Sequence, residues 1–115
     1  MPKHILVVMS NAVSAEREAE YNEWYTGRHV RDVVSLPGFA AATRYVASTA
    51  QMAGPPPHKY LAIYEIDAAD PADALKSLRE AAPMLGRVPM SDAIDLAGIS
   101  VHVYTPITER VTSKT

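Results

Sequence analysis

"FAAATRYVASTAQMAGPPPHKYLAIYEID", Phe39 to Asp67, places two apolar, β-rich runs on either side of three consecutive prolines. "FAAATRYVAS" and "KYLAIYEID" read as strands. "TAQMAGPPPH" between them has no periodicity and reads as a stiff, extended hairpin loop. The two strands are expected to pair antiparallel. Upstream, Pro37 and Gly38 form a stop signal and a turn. Helical spacing runs back from about Leu36 to Ser14, a plausible N-cap, with Glu16 and Glu18 suited to the positive helix end. Downstream, Asp70 is placed to cap a second helix. Pro71 takes its first position, and Ala74, Leu75, Leu78, Ala81 and Ala82 follow at helical spacing.

The two ends of the chain complete the pattern. Residues 3 to 10 are a strand-like run rich in Val, Ile and Leu, and "ISVHVYTPI" alternates as a half-buried final strand does. "MLGRVPMSDAIDLAG" is broken by Gly and Pro and has room for one short turn capped by Ser91. The order strand, helix, strand, strand, helix, strand predicts an α+β domain spanning residues 1–115, a four-stranded antiparallel sheet with both helices on one face. The other face would be bare and apolar. Its simplest cover is the same face of a second copy, so a homodimer is expected.

Composition narrows the function. With 115 residues, 48% of them hydrophobic, one core is expected. Net charge is −2, and acidic and basic residues are interspersed. This gives no face to track phosphates and no polybasic run, so neither nucleic acid nor a membrane is an expected partner. The apolar run at the start is too short for a signal h-region, which points to a cytoplasmic protein. Cysteine is absent, so disulfides and thiol chemistry are excluded. His4, His29, His58 and His102 fall on different elements without ligand spacing, so no metal site is expected. His58, beside the proline loop, is expected to be exposed. No phosphate loop, dinucleotide fingerprint or Ser-His-Asp arrangement can be read.

The chemistry concentrates in the first helix. At about 100° per residue, Ala15, Ala19, Thr26, His29, Val30, Val33 and Leu36 fall on one face around Asn22. Tyr25 lies at its edge. Buried polar groups need partners, and backbone or the tyrosine-rich strands could supply them. The other reading is a ligand pocket, with Asn22, Tyr25 and His29 opposite Tyr45, Tyr60 and Tyr64. His102 shares a strand face with Ser100 and Tyr104 and would line the pocket or the dimer seam. An imidazole there could move a proton near neutral pH, which makes His29 the candidate acid or base. Trp24 falls on the charged side. It either lies over arginine stems or anchors an interface with a loop, the tail or the second subunit. Gly27 points outward nearby, and close approach of a neighbour would explain it.

"EREAEYNEWYTGRHVRDVVSLPGF" followed by "HKYLAIYEID" resembles the dimeric α/β barrel superfamily, in particular EthD-like bacterial proteins with an N-x-W-Y-x-x-x-H helix running into P-G-F. The resemblance covers most of the chain and implies a ferredoxin-like βαββαβ fold. His29 takes the position of the acid or base in members that are enzymes, and Asn22, Trp24 and Tyr25 match the other motif letters. Arg31 stands where similar sequences often have proline. The superfamily includes muconolactone isomerases, polyketide cyclases, cofactor-independent monooxygenases and haem-degrading enzymes. The resemblance thus implies a small-molecule enzyme without a tightly bound cofactor. Its His29 would serve isomerisation, cyclisation or lyase chemistry on an aromatic, lactone or polyketide-like substrate. The alternatives are a non-catalytic binding or accessory protein of a degradation or biosynthetic pathway and, further off, haem or oxygen chemistry with His29 or His102 as axial ligand.

Overall fold

A computed structural model of the chain describes residues 4–84 and 90–113. Its elements follow the expected order. Strand β1 (His4–Ser10) leads through a 3₁₀ turn (Ala15–Arg17) into helix α1 (Glu18–Trp24), a π-helical turn (Tyr25–His29) and helix α2 (Val30–Val34). Strands β2 (Phe39–Val46) and β3 (Tyr60–Ile66), helix α3 (Pro71–Met84), a 3₁₀ turn (Leu96–Gly98) and strand β4 (Ser100–Tyr104) follow. The sheet is antiparallel throughout, in the order β2-β3-β1-β4. The two central strands are joined to the edges by helical crossovers, as the split βαβ arrangement requires.

Register decides which side chains face the helices. Leu6 pairs with Tyr64 and Val103, and Val8 with Ala62 and Val101, so these residues share the inner face. Leu6, Val8, Ala62, Tyr64 and Ile66 are buried there against Tyr21, Tyr25, Val33 and Leu36 of the helical segment and Ala74 and Ala81 of α3. Alternation puts Ile5, Val7, Met9, Leu61, Ile63, Tyr45 and Tyr104 on the outer face, where Tyr45 and Tyr104 are about half exposed.

Local signals explain the ends of the elements. Asp70 Oδ1 accepts from the Ala72 N–H, so it caps α3 as expected. Gly38 sits at φ 95°, and a Cβ there would lie 2.9 Å from the Ala74 Cβ, so the Pro37–Gly38 turn needs glycine both for its backbone and to seat α3. Ser14 has the extended backbone of an N-cap, but its side chain makes no capping bond. Ser91 accepts from the Ala93 N–H in the turn expected of it, whereas residues 85–89 of the Gly- and Pro-broken segment lie outside the described residues. His58 is half-buried rather than exposed, because its Nε2 donates to the Gly98 carbonyl at 2.7 Å and ties the proline loop to the start of β4.

The first helix departs from the expected wheel in a specific way. An α-helix overshoots a full turn by about 40° every four residues, and a π turn undershoots, so a mixed helix keeps residues four apart in line. Tyr21, Tyr25, His29 and Val33 therefore run straight down the buried side. Ala15, Ala19 and Thr26, assigned to that side by a regular wheel, are exposed. Gly27 lies within the wide turn, and among the described residues of this chain nothing approaches within 4 Å of where its Cβ would be.

Candidate functional site

His29 is 9% exposed and sits at the end of the wide turn, with Val33 one turn on. The same turn brings Trp24 round to it. Residues five apart in an α-helix point about 140° away from each other, but here the Trp24 and His29 rings stack at 4.7 Å with 29° between their planes. Tyr25 meets the His29 ring edge to face at 4.9 Å. Trp24 is thus half-buried against the core, with His29 on one face of its ring.

Beneath His29, between the helical layer and the sheet, is a cavity of about 170 Å³. Leu6 and Val8 of β1, Val33 of α2, Leu78 of α3, and Ile99 and Val101 at β4 supply its apolar wall. Its polar groups are few. His29 and Tyr64 line it, and the Tyr64 hydroxyl donates to the Tyr25 hydroxyl at 3.3 Å. The His29 Nδ1 is buried without a hydrogen-bond partner among the described residues. Burial pushes the imidazole down to about 4, with Arg44 pushing the same way and Asp32 opposing it. At pH 7 the ring is neutral, not poised near its ordinary value as the sequence alone suggests. Burial also raises both phenols, Tyr25 to about 12, so they stay protonated and can donate.

The other expected site residues separate into two groups. Asn22 and Tyr60 belong to a polar belt along the β2 side. Arg44 donates from Nη2 to Asn22 Oδ1 at 3.0 Å and from Nη1 to Thr26 Oγ1 at 2.7 Å. Asn22 Nδ2 donates to the Tyr60 hydroxyl at 3.0 Å, and that hydroxyl donates to Glu18, which also holds Lys59 at 2.5 Å. Asn22 is therefore satisfied by protein partners and does not face the His29 cavity. Tyr45 and His102 lie on outer-face positions, paired with Leu61 and Val7, so the pleat separates them from His29. His102 bonds Ser100 at 3.2 Å and borders a second cavity at the β4 edge.

Sequence reasoning missed Arg44. Its guanidinium lies 4.3 Å from the centroid of Tyr25 and within 5.4 Å of those of Tyr21 and Tyr60, a cation enclosed by three phenol rings. The signal was present, since alternation along β2 places Arg44 with Ala42 and Val46 on the helix side. Among the described residues no group of His, Asp or Glu side chains could hold a metal ion.

No family model matches the chain, and no curated protein does. Solved structures do. An EthD-like protein from Ralstonia eutropha JMP134 superposes with a TM-score of 0.60 at 17% identity, covering 96% of this chain and 97% of that one. The chain has the ferredoxin-like fold. The haem degrader MhuD of Mycobacterium tuberculosis, solved with two haems bound in its active site, shares this ferredoxin-like fold at a TM-score of 0.60 and 12% identity, covering 94% and 99%. An EthD family protein from Bacillus halodurans does so at 0.53 and 10%, covering 90% and 99%. In this ferredoxin-like chain no helix among the described residues is long and apolar enough to cross a membrane.

Proposed function

We propose that the chain takes a small apolar molecule with a carbonyl or phenolic oxygen into the cavity under His29 and moves a proton on it, with no tightly bound cofactor. The observation that carries this reading is that His29, whose buried Nδ1 has no hydrogen-bond partner among the described residues, lines an apolar cavity together with Tyr64. A neutral imidazole is the form that accepts a proton. Its basicity rises as negative charge develops on a substrate beside it, because a nearby anion favours the imidazolium in a dry site. The Tyr64–Tyr25 bond is long at 3.3 Å, and a ligand oxygen would take the donor over. This corresponds to the enolisation common to isomerase, cyclase and lyase steps. Asn22, engaged elsewhere, has no part in it.

The test is deuterium uptake. Acidic ketones, lactones and polyketide-like phenols incubated with the protein in D₂O should gain deuterium at the carbon next to the carbonyl. His29→Gln should lower the rate at least about 100-fold. Equal rates in both proteins would remove His29 from the chemistry. Binding without any exchange would favour the second reading, a non-catalytic carrier, which the low basicity of the free imidazole supports. A cavity of about 170 Å³ has room for a small molecule but not for a haem macrocycle, so haem does not fit under His29.

We also propose that the outer face of the sheet is covered by a second copy. Ile5, Val7, Met9, Leu61 and Ile63 form a contiguous apolar surface there, and Tyr104 extends it half exposed. Sedimentation should give a dimer that Ile63→Lys dissociates, and a monomeric wild type would overturn the pairing.

A further inference from the structure

The cavity under His29 adjoins a second, larger one. Leu6, Leu78 and Val101 line both, so these three side chains stand between the inner space of about 170 Å³ and an outer space of about 430 Å³ and would be the throat for a ligand that reached from one to the other. The outer space lies between α3 and the β4 edge. Apart from Arg79 and His102 its wall is aliphatic, with Leu75 and Val103 completing it.

Arg79 carries a charge that no described carboxylate pairs with. On its own helix the positions three and four residues away are Leu75, Lys76, Ala82 and Pro83, none of them acidic. Across the cavity stand Val101, His102 and Val103. No ion pair of Arg79 occurs among the described residues, as is also true of Arg31, Arg44, Lys76 and Arg110, but of these cations Arg79 is the one that lines the outer cavity. No carboxylate lines either cavity among the described residues. An aliphatic trough ending in an unpaired guanidinium complements a molecule with an apolar body and an anionic end, since guanidinium meets carboxylates and related oxyanions with two parallel donors.

Resting on the assignment of the inner cavity as the substrate site, we infer that the ligand is an elongated apolar monoanion. Its carbonyl end lies under His29, its body passes the Leu6–Leu78–Val101 throat, and its carboxylate-type end meets Arg79 at the mouth. Arg79 is then a specificity residue rather than a catalytic one. It selects acids over their neutral analogues and leaves the proton transfer to the inner site.

Two fluorescent probes of nearly the same shape separate these roles: 8-anilinonaphthalene-1-sulfonate, which carries the anion, and N-phenyl-1-naphthylamine, which lacks it. Each is titrated against wild type, Arg79→Gln, Arg79→Lys and Leu78→Trp, the last filling the throat, with a thermal melt confirming that each variant folds. Arg79→Gln should weaken the sulfonate about threefold to tenfold, the range for a charge-assisted contact at a part-exposed site. The neutral probe should stay within about twofold, and Arg79→Lys should recover part of the loss. Leu78→Trp should weaken both probes. If Arg79→Gln shifts both probes alike or neither, while Leu78→Trp still displaces them, the anion inference fails and the cavity assignment stands. If neither probe binds, or Leu78→Trp displaces neither, the cavity assignment fails and takes this inference with it.

Discussion

Acidifying the protein from pH 7 to pH 4 should remove about 3 kcal/mol of stability through His29 alone. The unfolded chain binds a proton on this imidazole at about 6.5, and the folded chain only at about 4. Below 6.5 the unfolded state is therefore favoured by protonation while the folded state is not. The contribution of the neutral ring is complete above pH 6.5 and is lost as pH falls toward 4. The cause is burial first; the charge on Asp32 partly opposes it, and the smaller effect of Arg44 acts with burial. Many carboxylates titrate in the same range, so the comparison is between urea midpoints of wild type and His29→Phe at each pH. Phe can keep the stack with Trp24 but cannot titrate. The wild type should lose about 3 kcal/mol more than the variant between pH 7 and 4, and parallel curves would show that His29 is not held neutral. Trp24, stacked on the ring, gives an independent readout because an imidazolium quenches indole fluorescence. Its emission in the folded protein should titrate near pH 4 only when His29 is present.

Arg44→Met should be the most damaging substitution in the polar belt. It removes a cation from among three phenol rings and withdraws the donors to Asn22 and Thr26. Each cation–π contact is worth about 0.5 to 2 kcal/mol, and a hydrogen bond from a charged group about 1.5 to 3. Since these are not additive, the expected loss is about 2 to 4 kcal/mol. Arg44→Lys should rescue little, because an ammonium lacks the flat face and the fork that serve Tyr25 and Asn22 at once. The variant also carries a signature that mere loosening does not. Arg44 is one of the two causes holding His29 low, so without it the imidazole should accept a proton at higher pH and the acid penalty should shrink. Unchanged titration of Trp24 emission in Arg44→Met would disconnect the two residues.

These effects arise from features that were unequally legible in the sequence. The four strands and α3 could be read because short-range signals agree there: alternation in β4, Asp70 and Pro71 at the start of α3, and a glycine where Pro37–Gly38 turns. Gly38 then proved to be constrained also by Ala74, a contact no local pattern encodes. The first helix was legible as a helix, and His29 as the polar residue on its buried side. The wheel went wrong on Ala15, Ala19, Thr26 and Trp24 because it assumed one pitch throughout, and pitch is set by hydrogen bonding that composition does not reveal. Tyr45 and His102 were grouped with His29 by residue type, whereas strand register puts them across the sheet. Arg44 was overlooked because an arginine on a strand is usually taken as solvent-facing, yet its alternation with Ala42 pointed inward.

The π turn at Tyr25–His29 bears on how this chain is aligned with others. It holds one residue more than the α-helical path between the same two ends would need. A related helix without that residue would follow the same axis and dock on the same sheet, and its sequence would fall out of step with this one partway along. An ungapped alignment anchored on His29 and Val33 would then match Tyr21 and Trp24 to residues one position off, pairing a buried ring with an exposed charge. An alignment anchored on the N-terminal half would misplace the histidine instead. Spacing between Trp24 and His29 is thus a ruler only among helices that keep the same count, as the N-x-W-Y-x-x-x-H pattern does, and elsewhere a one-residue gap between Tyr25 and His29 is the first correction to try.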